Sequence, residues 1–288
     1  MAMRKRKGGM GKASGRSRGG PGCLSVFFLT VFVLVAVAST VAIFFKIKHI
    51  EVIGNQRYTF EQICTSAEIE LEDNLFFMNK FEKISNIFSR LPYVDEVKMT
   101  RRLPDTLRIE IKECVAVAVF YDGDSYWLIS ENGKILEQLR QLPGEHLIEV
   151  EGADLISPQP GKKAFIGGDE EGGEMRLSAM IETLRAIVDL GIEKDVDVLN
   201  IEKVYNVEFN YLGRFKVKLG MPEHLTYKID CLKKIVDGYL GPGDKGIIDL
   251  SELIDSKPAR FIPDAEDNYD EDNVDPTTEE PINIEQAG

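Results

Sequence analysis

The sequence predicts an α+β protein behind one membrane-crossing helix, and three observations carry that expectation. An uncharged apolar run near the N-terminus is long enough to cross a bilayer. Downstream, segments with period-two alternation are interleaved with segments of helical periodicity. The chain then ends in an acidic stretch with too little apolar mass to fold.

The run begins after a basic segment. Residues 1–22 carry Arg4, Lys5, Arg6, Lys7, Lys12, Arg16 and Arg18 and no acid, and their composition predicts disorder. From Cys23 to Phe45 there is no charge. At about 1.5 Å per residue the run reaches roughly 35 Å, against a hydrocarbon core of about 30 Å. A cleaved signal core has roughly 7–15 apolar residues. This run instead continues through Val41, Ile43, Phe44 and Phe45, so a retained anchor, residues 23–45, is expected. Basic flanks stay cytoplasmic, which places residues 1–22 inside and everything after the anchor outside. The chain carries a net charge of −13, and without the seven basic residues of its first segment the balance is −20. Such an exterior argues against nucleic acid, which needs a basic footprint. Cys64, Cys114 and Cys231 fall in the outer portion without metal-type spacing, and read as small buried hydrophobes rather than a disulfide scaffold.

The first outer block, residues 46–114, predicts strand, helix, helix, strand, strand. Ile50 and Val52 alternate with polar neighbours up to Gly54-Asn55. Thr59 stands three residues before Gln62, the spacing of a capping box, and Phe60, Ile63, Cys64 and Ala67 form the stripe of the helix that follows. A second helix from Asn79 has Phe81, Ile84, Phe88 and Leu91 on its apolar face and stops at Pro92. Strands around Val97 and Met99 and around Leu107, Ile109 and Ile111 are joined by a Leu103-Pro104-Asp105 turn. A small sheet with both helices on one face accommodates this order.

The second block, residues 115–263, predicts a β-rich domain with two helices. Strands at 126–130 and 134–139 flank Glu131-Asn132-Gly133, a hairpin signal. A helix over 175–190 turns Ile181, Leu184 and Val188 inward and stops at Gly191. A second hairpin joins 203–209 to 214–219, a helix spans 225–240, and strands near 246–250 and 258–262 close the block. The glycine- and acid-rich stretch from Gly167 to Gly173 reads as an inserted loop. Residues 264–288 hold ten acids and no Lys or Arg, and are expected to be a disordered tail.

No catalytic apparatus, cofactor motif or metal site emerges. His49, His146 and His224 form no paired zinc motif, and there is no G-x-S-x-G elbow. The stretch from Gly238 to Lys245 lacks phosphate-loop spacing and reads as a helix stop. A glycosidase-like carboxylate pair cannot be singled out among so many acids.

Several segments, taken in order, carry a resemblance. They are Ile50-Glu51-Val52-Ile53-Gly54-Asn55-Gln56-Arg57-Tyr58-Thr59, Asp73-Asn74-Leu75-Phe76, Leu91-Pro92-Tyr93-Val94 and Lys98-Met99-Thr100-Arg101-Arg102-Leu103-Pro104-Asp105-Thr106-Leu107, then Ile109-Glu110-Ile111-Lys112-Glu113. Together they resemble the POTRA domain of the bacterial cell-division proteins FtsQ and DivIB. Gly133-Lys134-Ile135-Leu136, Val217-Lys218-Leu219-Gly220, Lys228-Ile229 and Ile248-Asp249-Leu250 resemble the β domain of that family. The resemblance covers roughly residues 24–263. It departs at Cys114 and Val115, where the family usually has an arginine and a proline.

The resemblance implies a non-enzymatic divisome scaffold in the cell membrane at the division septum. Such a scaffold binds FtsB/DivIC-type and FtsL-type bitopic proteins and helps control septal peptidoglycan synthesis. The FtsB-type partner is received on the last strand and its neighbour, matched here by Ile247, Ile248, Asp249, Leu250, Arg260, Phe261 and Ile262. The POTRA block is implied to recruit further division proteins, with Arg101 and Arg102 as an exposed recruitment surface. Two other classes are weighed against the scaffold. A POTRA-bearing chaperone or secretion component would show tandem repeats and a long barrel pattern, which are lacking. A membrane-anchored cell-wall hydrolase would reveal itself by muralytic activity.

Overall fold

A computed structural model describes residues 22–167, 170–253 and 258–264. The basic segment before Gly22 and the acidic tail after Asp264, both expected to be disordered, lie outside the described residues, as do Gly168 and Asp169 of the expected loop.

The apolar run forms α1 (Cys23–Phe44), a helix of 22 residues and so about 33 Å long. Its hydrophobic window is not buried against the protein at all, unlike the core helix of a globular domain. Beyond it come β1 (His49–Ile53), α2 (Phe60–Ala67), α3 (Lys80–Arg90), β2 (Val94–Arg102) and β3 (Thr106–Glu113). This is the predicted order. The strands form a three-stranded sheet in the order β1-β3-β2, with β1 parallel and β2 antiparallel to β3. Leu107, Ile109 and Ile111 point from β3 into one core with Ile63, Ala67 and Ile87 of the helices. Thr59 and Gln62 form the reciprocal capping box that starts α2. At the end of β1, Gly54 has φ +89°, and a Cβ there would stand 2.1 Å from the carbonyl oxygen of Ile111, so only glycine fits.

Phe81 departs from expectation. It lies on the α3 stripe with Ile84 and Phe88, which pack against the core, yet it is exposed in the first turn of the helix.

The second unit contains β4 (Ala118–Tyr121), β5 (Tyr126–Ile129), β6 (Ile135–Leu139), β7 (Ile148–Glu151), α4 (Glu170–Asp189), β8 (Val196–Asn200), β9 (Val207–Tyr211), β10 (Phe215–Gly220), α5 (Leu225–Tyr239), β11 (Gly246–Asp249) and β12 (Arg260–Pro263). All nine strands join one sheet in the order β12-β11-β10-β9-β8-β7-β4-β5-β6. The helices α4 and α5 contact each other. Met180, Leu184 and Ile187 of α4 and Ile229, Leu232 and Ile235 of α5 share a core with Phe209, Phe215 and Val217 of the sheet.

Three strands, β4, β7 and β8, were not predicted, and α4 begins five residues before the expected helix. Glu170 to Gly173, expected as loop, form its first turn. The glycines weaken that turn intrinsically, but a Cβ on Gly173 would meet the Ile166 carbonyl oxygen at 2.4 Å, so the chain uses glycine to pass close to its own loop.

Candidate partner-binding site

The two ends of the large sheet differ. At β6 the segment 161–164 folds back on the strand: Ile135 donates its N–H to Lys162, and Gly161 donates to Ile135. At the other end, β12 is the terminal strand among the described residues. It pairs antiparallel with β11, setting Ile247 opposite Ile262, Ile248 opposite Phe261 and Asp249 opposite Arg260. The Asp264 N–H donates to the Lys245 carbonyl at 2.9 Å, which fixes the parity of the ladder. By alternation, Ile262 and Arg260 also direct their backbone polar groups to β11, whereas Phe261 and Pro263 direct theirs outward. Pro263 has no N–H, so within β12 the outer edge offers one donor, at Phe261, and two carbonyl acceptors.

Side chains alternate in the same way. Phe261 turns toward the helical layer, where its ring meets Phe215 edge-on at 6.1 Å between centroids. It is only partly covered there, which leaves room for a further strand to complete its burial. Ile247 and Ile262 pair on the opposite, partly exposed face, with Asp249 and Arg260 beside them. Asp249 also accepts from the Ser251 N–H and hydroxyl, closing the turn after β11.

Two of the expected contact residues are placed elsewhere. Ile248 and Leu250 are fully buried in the core, and both edges of β11 are occupied, by β10 and by β12. Their side chains pack in the core beneath the sheet. Arg101 and Arg102 are exposed on β2 but engaged. The Arg101 guanidinium donates to the Met78 carbonyl at 3.0 Å, and Arg102 faces Glu51 at 3.8 Å. They stand at the end of the small sheet nearest α1, since the adjacent turn residue Asp105 accepts from the N–H groups of Lys48 and His49.

The joint between the two units has no local sequence pattern that announces it. Beyond Cys114, Tyr93 donates its hydroxyl to Glu137 at 2.9 Å, and the Arg57 guanidinium lies 3.7 Å above the Tyr93 ring. Lys134 donates to the Val94 carbonyl at 2.5 Å, and Asn132 donates to Asp95. Burial first, then the hydrogen bond to Glu137, pushes the Tyr93 hydroxyl up to about 12. Glu113, at the end of β3, accepts the backbone N–H groups of Gln56, Arg57 and Tyr58 at 2.7–3.1 Å, which ties β3 to the loop after β1. Cys114 in this joint is half-buried and its thiol is pushed up to about 11, chiefly by desolvation. Cys64 and Cys231 are buried, and neither is in a disulfide.

Along the chain a candidate membrane-spanning helix is followed by a POTRA-type module and a nine-stranded sheet whose terminal strand among the described residues is β12. Residues 45–113 match the family model described as the POTRA domain, FtsQ-type. The chain is 28% identical over 236 residues to the cell division protein DivIB of Clostridium botulinum strain Hall, a match covering 78% of this chain and 86% of the relative. It is 29% identical over 191 residues to DivIB of Clostridium tetani, covering 65% of this chain and 68% of the relative. It is 32% identical over 162 residues to the cell division protein FtsQ of Corynebacterium glutamicum, covering 54% of this chain and 64% of the relative. The chain thus carries an FtsQ-type POTRA domain and is similar, over most of its length, to DivIB and FtsQ cell-division proteins.

Proposed function

We propose that the protein is a non-enzymatic scaffold of the division machinery. Its N-terminus lies in the cytoplasm, α1 crosses the cell membrane, and the two folded units stand outside at the septum. It binds an FtsB/DivIC-type bitopic protein, and with it an FtsL-type protein, and so helps control septal peptidoglycan synthesis. The observation that carries this reading is the outer edge of β12, a strand at the end of a nine-stranded sheet with no neighbour among the described residues. Exposed edges accept strands, and here the Phe261 N–H and the Phe261 and Pro263 carbonyls are joined by the apolar pair Ile247 and Ile262. Only those side chains and the backbone of β12 form the contact. Arg101 and Arg102 belong to a second surface, at the membrane end of the POTRA module.

The test is capture of the extracytoplasmic segment of an FtsB/DivIC-type protein by the full chain in detergent, with and without an FtsL-type protein. Saturable capture is expected. Failure to bind with both partners present, or degradation of purified peptidoglycan by the chain alone, would set the scaffold reading aside.

A further inference from the structure

Where α1 ends, the chain does not run freely into the POTRA module. The side-chain amide of Asn74 donates to the carbonyls of Val41 and Ala42 at 2.9 and 3.2 Å, sharing the first with the Phe45 N–H at the helix C-terminus. The Leu75 N–H donates to the Phe45 carbonyl at 2.8 Å, and the Ile47 N–H to the Asp73 carbonyl at 2.7 Å. The rings of Phe45 and Phe76 meet edge-on at 4.7 Å. The segment after β1 and α2 is thus bolted to the last turn of α1, and its height relative to α1 is set by hydrogen bonds.

That segment leaves three large aromatic side chains uncovered within six residues. Phe76 is 45% exposed, Phe77 66% and Phe81 72%. Their backbone is held from the other side as well, by Arg101 on the Met78 carbonyl and by the start of α3. Isolated exposed aromatics need no explanation, but three within six residues, the first packed on Phe45 at the end of the bare apolar α1, do. The length of α1, about 33 Å against a hydrocarbon core of about 30 Å, puts Phe44 and Phe45 at the outer hydrocarbon boundary. The cluster bolted beside them therefore falls at the level where apolar side chains enter the headgroup region.

We infer that Phe76, Phe77 and Phe81 insert into the outer leaflet of the membrane that α1 spans, making the POTRA module a monotopic membrane-docking element. The occupant is lipid at the boundary between headgroups and acyl chains. The inference rests on α1 being a membrane span, as proposed above. Arg101 gains a role in it, because its hydrogen bond to Met78 holds the inserted segment from the protein side.

Depth-dependent quenching in vesicles of phosphatidylcholine and phosphatidylglycerol, with brominated lipids as quenchers, tests it on the full chain. The single tryptophan is removed by Trp127→Phe, and a new probe is introduced by Phe77→Trp. Phe32→Trp, midway along α1, and Tyr205→Trp, exposed on the large sheet unit, serve as references. Should the Trp127→Phe parent melt early, Trp127 is kept and the wild-type signal subtracted. Emission from position 77 is expected to fall by roughly half or more with bromines near the headgroup end of the acyl chain, and less with deep ones. Position 32 is expected to respond most to deep bromines and position 205 to none. Quenching at 32 without quenching at 77 would overturn the inference, leave the anchor intact and point to a partner helix as the cover. Absence of quenching at both 32 and 77 would overturn the anchor as well.

Discussion

At the scale of single residues, the chain places a few polar groups where removing them has a defined cost. Lys228 is buried on α5, and its ammonium donates to the Leu219 carbonyl at 2.6 Å and the Met221 carbonyl at 3.1 Å, fastening the helix to the end of β10. Lys228→Met keeps the volume but withdraws that donor from two carbonyls. It is expected to lower stability by about 1–3 kcal/mol, read as a lower urea midpoint at constant m-value. Two tyrosines define an alkaline limit. Tyr93 and Tyr211 are both pushed from 10.0 to about 12, chiefly by burial. Because folding favours the neutral phenol, the stability they contribute is complete below pH 10.0, the unfolded value, and is lost as pH rises from there toward 12. The melting temperature should fall over that range, and Tyr93→Phe should shallow the fall.

At the scale of elements, β12 is held by backbone geometry as much as by side chains. Gly246 opens β11 at φ +150°, and a Cβ there would stand 2.2 Å from the Ile262 carbonyl oxygen. Gly246→Ala is therefore expected to loosen β12 from β11 while the rest of the sheet persists. Faster amide exchange at Arg260 and Ile262, with that of β9 and β10 unchanged, is the readout. What could be read from sequence at this scale depended on period and length. The POTRA order was legible because β3 alternates over eight residues and α3 carries a stripe over eleven. The strand β7 alternates too, with Ile148 and Val150 buried and Glu149 and Glu151 exposed, but four residues are too few to stand out. In β8 a register shift between Val196 and Leu199 breaks the period itself. Position in a sheet was less legible still: Ile248 and Phe261 face each other across one ladder, yet one is sealed in the core and the other stands at the rim. The neighbours that decide this, β10 on one side and open edge on the other, come from strand order, which no local pattern encodes.

At the scale of the whole molecule, the fold separates three tasks along its length. The helix α1 is the candidate membrane span, the POTRA module is clamped to the end of that helix through Asn74, and the large sheet ends, among the described residues, at β12. The joint built on Tyr93, Glu137 and Lys134 links the second and third parts, so the module and the edge are mechanically connected rather than strung on a bare hinge. The central claim is that this edge binds by strand addition, and two substitutions at one position isolate it. Phe261→Ala removes the ring but keeps the outward N–H. Phe261→Pro removes the ring and the N–H, and leaves the ladder to β11 intact because that N–H points away from it. The measurement is the affinity of each full-length variant for the FtsB/DivIC-type segment, with folding verified by melting. Strand addition predicts that the proline variant binds weaker than the alanine variant by roughly tenfold, about 1.4 kcal/mol for the lost edge hydrogen bond. Equal affinities of the two folded variants would contradict it.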